Sequence, residues 1–310
     1  MKDKESINEG RAVSQIELHT GLKVLSFKLA ECDADNRVVP HNVFRVALSD
    51  GAEYVAKRLN VEQVSSGALH DIAEKPRPHC QKIRYLFEDN SRGHFYALSE
   101  WINGIALEKS LERADAVGTI QKAVLSLRAL HEDSRTNENV SFDKNDVVRA
   151  LSKDFLSRSI RTTLCSYMLE RLPIINSRVK TFVHGDMHLG NIVMTGDDDV
   201  TFIDLDDVNW GDAFTDLVYA ANLIITSEQQ YAYFSFIEQY FDGEPPCCFW
   251  PIVNFYSAIK AISIMEREIE FSKTKTARLP LERLVFVEHE GMRNEIPAWY
   301  RKIRSRVYSE

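Results

Sequence analysis

Three residues in the middle of the chain have the types and spacing that phosphoryl transfer demands. Asp186 is followed five positions later by Asn191 and eighteen positions later by Asp204, within TFVHGDMHLGNIVMTGDDDVTFIDLDDVNWGDAFTDL at 181–217. The reaction asks a protein mainly for positioning and charge. One carboxylate accepts the attacking hydroxyl's proton, and an Asn with a second carboxylate holds magnesium against the phosphates. The local pattern places all three together: 181–183 is β-prone, 186–191 is a loop, and 192–194 pairs with 200–203 through a turn at 196–199. Asp204 then faces Asp186 and Asn191 from the end of the second strand.

The Asp-to-Asn interval matches the kinase loop H-R-D-x-x-x-x-N, with Gly185 in place of the Arg. HGDMHLGN followed by FIDLDDVNWGDAFTDL resembles the aminoglycoside phosphotransferase and choline kinase superfamily, kinases of small-molecule hydroxyls with a protein-kinase-like fold. The resemblance extends from about Asn36 to the C-terminus. It implies that Asp186 is the catalytic base and that Asn191 and Asp204 bind magnesium. It also implies that Asp216 ties the metal loop to the catalytic loop, with His184 and His188 as supporting residues.

The elements that must position these groups can be followed along the chain. A helix is expected over 11–22 and a strand over 24–30, then a polar loop over 31–42 and strands over 43–48 and 53–59 joined by the turn Ser49-Asp50-Gly51. Lys57, in EYVAKRL, resembles the strand lysine that reaches the α- and β-phosphates of the nucleotide. No glycine lies between Gly21 and Gly51, so the phosphate-covering loop at 36–42 departs from the glycine-rich pattern. NVFRV, beginning at Asn42, resembles the family's segment at this point and assigns Asn42 to the nucleotide. A helix over 61–74, closed by Pro76 and Pro78, is expected to supply the acid that pairs with Lys57, and Glu62 and Glu74 both qualify. Strands follow at 83–87 and 94–101. The segment 97–104 resembles the hinge where adenine bonds to backbone groups, at Glu100 and Ile102.

Beyond Gly104 the β signals give way to helices, at 114–131, 146–156, 160–172 (stopped by Pro173), 214–225, 229–241, 251–271 and 281–308. The fold expected is therefore α+β and two-lobed. A small β-rich N-terminal nucleotide-binding lobe spans 1–103, and a mainly helical catalytic and acceptor-binding lobe spans 104–310.

Composition bounds the function. With 310 residues and 44% hydrophobic content the chain can bury a sizeable core. The 38 basic residues against 46 acidic ones give a net charge of -8, which disfavours a nucleic-acid partner and mildly favours a cationic ligand. Five cysteines, at 32, 80, 165, 247 and 248, have no metal-ligand spacing. The charged N-terminus and the lack of a long apolar run point to a cytoplasmic protein without a membrane span. Composition does not specify the oligomeric state.

Only eleven residues separate Asp204 from Asp216, too few for a peptide-seating activation segment, which argues for a small acceptor. IDLDD also resembles a bacterial stress-response kinase of the superfamily described as acting on protein serine and threonine. That alternative stays open beside a nucleotide-binding pseudokinase scaffold. Candidate acceptor groups are Asp206, Asp207, Asp212, Trp210 and Glu266, with Glu268, Glu270 and the aromatics Phe249, Trp250, Phe255 and Tyr256 behind them. Carboxylates suit a polyamine or aminoglycoside, and an aromatic cage suits choline. The cofactors expected are ATP, with GTP possible, and Mg2+.

Overall fold

Alternation writes the first lobe. In Val43–Leu48 (β2), Phe44, Val46 and Leu48 are buried while Arg45 points to solvent. A computed structural model of the chain describes residues 9–29, 43–60, 67–89, 94–110, 116–196, 199–223, 230–272 and 296–308. In it, β2 joins Val24–Leu29 (β1), Glu53–Asn60 (β3), Ile83–Asp89 (β4) and His94–Glu100 (β5) in one antiparallel sheet of order β1-β2-β3-β5-β4. The helix Glu9–Thr20 (α1) covers one face, burying Ala12 and Ile16 against Phe44, Val46, Leu48 and Leu98. The other face carries Leu59, Ile83 and Ala97. These pack with Leu69 and Ile72 of Ala68–Glu74 (α2) into the same core that fills the helical lobe.

From β5 the chain passes through 101–104 into the short strand Ile105–Ala106 (β6), which pairs with Ile192–Thr195 (β8). Gly104 permits that crossing, because a Cβ there would stand 2.2 Å from the Met194 carbonyl oxygen. A second tie joins the lobes: the Phe202 N–H donates to the His79 carbonyl at 2.6 Å, and the Gln81 N–H to the Phe202 carbonyl at 2.8 Å. Phe202 ends Asp199–Phe202 (β9), which pairs with β8 as the sequence pattern requires.

The helical lobe begins with Leu107–Ser110 (α3) and Ala116–Asp133 (α4), whose buried stripe is Ile120, Ala123, Val124, Leu127 and Leu130. Lys144–Leu151 (α5) starts at a capping box between Asp143 and Asp146, and it is shorter than the 146–156 expected. Arg158–Ile175 (α6) runs through Pro173 rather than stopping there. The proline removes one backbone bond in the last turn, and complete burial of Ile175 holds that turn. Thr181–Val183 (β7) pairs with Asn209–Gly211 (β10). The helix expected over 214–225 is instead a 3-10 turn, Ala213–Leu217, followed by a π-helical turn, Tyr219–Leu223. Gln230–Phe241 (α7), Phe249–Ser272 (α8) and Ala298–Val307 (α9) complete the lobe. Among the described residues no helix is long and apolar enough to cross a membrane.

Candidate active site

The loop between β7 and β8 is held from beneath by Asp216. Its carboxylate has no exposed surface; it accepts the Gly185 N–H at 2.7 Å, the His184 N–H at 2.8 Å and the His131 imidazole at 3.0 Å. Burial pushes the Asp216 carboxyl up, but the His131 bond and the other donors outweigh it and keep it below its ordinary value. His131 is oriented in turn by the Tyr240 hydroxyl, 2.8 Å from its other ring nitrogen.

His184 joins the loop to the strand beside it. Its Nε2 lies 2.7 Å from the Ile203 carbonyl, and its Nδ1 accepts the Asp186 N–H at 3.3 Å. Gly185 adopts φ +81°, and a Cβ there would meet the Asp207 carbonyl oxygen at 2.2 Å. A kinase-type Arg cannot stand at this position in this packing. Asn191 donates from Nδ2 to the Asp186 carbonyl at 2.9 Å, and its own carbonyl accepts the Ile203 N–H at 2.9 Å. The amide orientation this fixes leaves Asn191 Oδ1 as an acceptor. The next residue, Asp204, stands in the left-handed region at φ 63° and ψ 61°, unusual for a residue with a Cβ and typical of functional sites.

Lys57 reaches this turn from β3. Its ammonium pairs with Asp204 and lies 3.2 Å from Asp206 Oδ2. Burial pulls the lysine down, yet the two carboxylates raise it overall. Asp206, half-buried beside Asp204, is raised, chiefly by desolvation and with the neighbouring Asp204 charge adding to it, to about 6. Of the two helix acids proposed for Lys57, Glu74 is exposed on α2 and makes no pair with it among the described residues, and Glu62 lies outside the described residues. Asn42 also lies outside them.

Three contacts converge on the Asp186 carboxylate. The Tyr219 hydroxyl donates to Oδ1 at 2.5 Å and the Lys260 ammonium stands 3.0 Å from the same oxygen, while His188 Nε2 is 3.9 Å from Oδ2. Burial pushes the carboxyl up, but Lys260, Tyr219 and His188 outweigh it and hold it at about 2. His188 is itself lowered, chiefly by burial, and accepts the Gly190 N–H through Nδ1 at 3.1 Å. Lys260 and Tyr219 were not among the expected site residues. One signal existed: Lys260 is the lone charged residue between Phe249 and Met265. Tyr219 had none, because the turn that aims it looks helical in sequence.

Other expectations are corrected. The Glu100 N–H is already donated to Lys82 and its carboxylate pairs with Arg84, while its carbonyl accepts the Gln81 amide and keeps one lone pair for a ligand. Ile102, two residues on, makes no backbone hydrogen bond among the described residues. The Trp210 indole faces α2, donating to Asp71 at 2.8 Å and packing edge-on to Phe182, because β10 lies against β7. Glu266 pairs with Lys153 at 2.7 Å. Asp212, 1% exposed, is held by Arg178 at 3.0 and 3.2 Å. Phe249, Trp250, Phe255 and Tyr256 are core, and the side chains of Glu268 and Glu270 lie outside the described residues. A cavity of about 860 Å3 opens between Trp250, Tyr300 and Arg304, but it shares no lining residue with the carboxylate cleft.

Comparison with known proteins bears on the fold and the family. No curated protein matches in sequence. Among solved structures, choline kinase LicA from Streptococcus pneumoniae superposes with a TM-score of 0.62 at 14% identity, covering 90% of this chain and 96% of that one. The GDP and kanamycin complex of APH(2")-IIia gives 0.62 at 12% identity, with 90% and 98% covered. Spectinomycin phosphotransferase APH(9)-Ia, bound to ADP and spectinomycin, gives 0.55 at 12% identity, with 92% and 94% covered. At such identities these likenesses establish the shared two-lobed fold. The sequence itself goes further, since the profile of the phosphotransferase enzyme family matches residues 41–250, well over half of the chain. The chain belongs to the phosphotransferase enzyme family.

Proposed function

We propose that the protein transfers the γ-phosphate of ATP or GTP to a hydroxyl of a small molecule, with Asp186 as the base. The observation that carries this reading is the joining of the Asp186 loop to the Asp204 turn: Asn191 donates to the Asp186 carbonyl, His184 bonds the Ile203 carbonyl, and Lys57 pairs with Asp204 and Asp206. Lys57 steadies the nucleotide phosphates, and the backbone groups of Ile102 are available to the base of the nucleotide. The acceptor oxygen attacks the γ-phosphorus in line as the bond to the bridging oxygen breaks. The hydroxyl proton passes to Asp186 Oδ2, the carboxylate oxygen not gripped by Tyr219 and Lys260.

The donor set fits magnesium. Among the described residues no three His, Cys, Asp or Glu side chains cluster to cage a metal, whereas Mg2+ keeps its waters and takes one or two protein oxygens together with phosphates. Asn191 Oδ1 and the Asp204 carboxylate would hold it. When bound it neutralises the charge of the phosphates.

A small acceptor is favoured over a protein one, because the whole segment after Asp204 is engaged. Its 3-10 turn Leu205–Asp207 contacts Lys57 and Lys260, β10 pairs with β7, and Asp212 is locked by Arg178. Those contacts leave no span to seat a peptide. The test is a phosphate-transfer assay with Mg2+ and ATP or GTP against a hydroxyl panel and a generic protein. Asp186→Asn serves as the blank. Transfer to one metabolite class, reduced about 10^2-fold or more in the variant, supports the reading. Nucleotide binding without transfer or hydrolysis above the blank would refute it.

A further inference from the structure

The Lys260 ammonium lies between the two acidic residues that flank the acceptor side of the cleft. Its Nζ is 2.9 Å from the Gly185 carbonyl, 3.0 Å from Asp186 Oδ1 and 3.2 Å from Asp207 Oδ2. An ammonium has three N–H donors, and here three acceptors surround it. The Tyr219 ring lies 5.6 Å from the same nitrogen. Lys260 therefore grips Oδ1 from one side as Tyr219 grips it from another, and Oδ2 is free of both, with His188 Nε2 3.9 Å away. Its side chain keeps 18% of its surface exposed, so the charge borders the cleft rather than lying sealed beneath it.

Among the described residues, the other acidic candidates for reading a cation are also engaged within the protein. Asp204 and Asp206 share Lys57, Asp212 holds Arg178, and Glu266 holds Lys153. The aromatic side chains that could cage a quaternary ammonium are core, and Trp210 faces α2. An acceptor bearing a positive charge beside its reacting hydroxyl would bring that charge against Lys260.

We infer that Lys260 positions Asp186 and sets acceptor specificity, so that the substrate is an alcohol without a positive charge near the reacting oxygen, such as a polyol, a sugar or a hydroxy acid. This inference rests on the phosphotransfer reading above and names its acceptor class. Lys260 supplies from within the protein the cation that a charged acceptor would otherwise bring to Asp186. Deleting it leaves Asp186 and Asp207 as an unpaired acidic pair that a ligand ammonium can satisfy.

The experiment compares matched acceptors that differ in charge: 3,3-dimethylbutan-1-ol with choline, ethylene glycol with ethanolamine, and glucose with glucosamine. In the wild-type protein kcat/KM is expected to favour the uncharged member by about tenfold, because Lys260 already occupies the two carboxylates with which a ligand ammonium would pair. In Lys260→Ala, kcat for the uncharged member should fall by roughly 10- to 100-fold, as expected when a reacting group loses its placement. Added propylammonium, which matches the deleted side-chain atoms, should restore part of that rate, and the preference between members should shrink or reverse. Lys260→Arg should retain most of the wild-type rate. Wild-type preference for the charged members would overturn the inference and leave the phosphotransfer reading standing. So would a Lys260→Ala variant that loses thermal stability and slows both members equally without amine rescue. Absence of transfer and of nucleotide hydrolysis throughout would overturn both.

Discussion

The backbone N–H of Gly185 donates to Asp216 Oδ1 at 2.7 Å, although the two residues lie 31 positions apart and the carboxylate is fully buried. Oδ2 of the same carboxylate holds the His184 N–H and the His131 ring. The loop that carries Asp186 is therefore fastened to the floor of the lobe immediately before Asp186. Asp216→Ala strands two backbone donors and a histidine in a fully buried site. Removing one partner from such a buried charged network costs about 3–5 kcal/mol. Urea denaturation should show a loss of that size, and Asp216→Asn, which keeps one acceptor oxygen, should lose less.

Gly185 itself predicts a second sensitivity. Ala at this position must hold φ +81° and must also displace the Asp207 carbonyl oxygen from 2.2 Å. The backbone conformation alone costs about 1–3 kcal/mol. Moving Asp207 also disturbs its ion pair with Lys260. Gly185→Ala should therefore lower both the melting temperature and kcat, whereas Gly196→Ala should cost stability alone. Gly196 also has positive φ, but a Cβ there meets nothing within 4 Å.

These sites show what the sequence could and could not disclose. Asp186, Asn191 and Asp204 could be singled out because phosphoryl transfer asks for their types and the loop sets their spacing. Lys57 was legible from its strand context, and the five sheet strands from alternation and turn residues. The Lys57 partners Asp204 and Asp206 were not legible, since they come from across the cleft: Asp206 sits 149 positions away, and no local pattern links it to β3. Lys260 reaches Asp186 only because α8 crosses beneath the loop. No local pattern encodes that crossing. The misreadings at Trp210 and Glu266 have the same origin, because residue type suggested a ligand where the fold supplies a protein partner.

Lys57 is expected to act on nucleotide affinity more than on stability. Its ammonium bridges Asp204 and Asp206 at the cleft mouth, where both carboxylates keep access to solvent. A charge-assisted contact to phosphate contributes about 1.5–3 kcal/mol. Lys57→Met should accordingly weaken ADP binding by roughly 10- to 100-fold in calorimetry, with a small change in melting temperature. Unchanged ADP affinity would remove Lys57 from the nucleotide site.

The Asp186 carboxyl gives the pH behaviour its sign. Burial alone would raise it, but Lys260, Tyr219 and His188 hold it at about 2, below its ordinary 3.8. A group lowered on folding stabilises the protein above its unfolded value, and that stability disappears as the pH falls through the folded value. The window for Asp186 thus runs from about pH 4 down to about pH 2, and the contribution is on the order of 2 kcal/mol. The difference in unfolding free energy between wild type and Asp186→Asn should be constant above pH 5 and should narrow across that window. For activity, kcat/KM reports the ionisations of the free enzyme, so Asp186 should impose no acid limb on the profile between pH 5 and 8. Lys260→Met removes the strongest influence that holds the carboxyl down and leaves burial to raise it. Its profile should then acquire an acid limb at higher pH than the wild type's. An acid limb at the same pH in both proteins would show that the lysine does not govern the ionisation of Asp186.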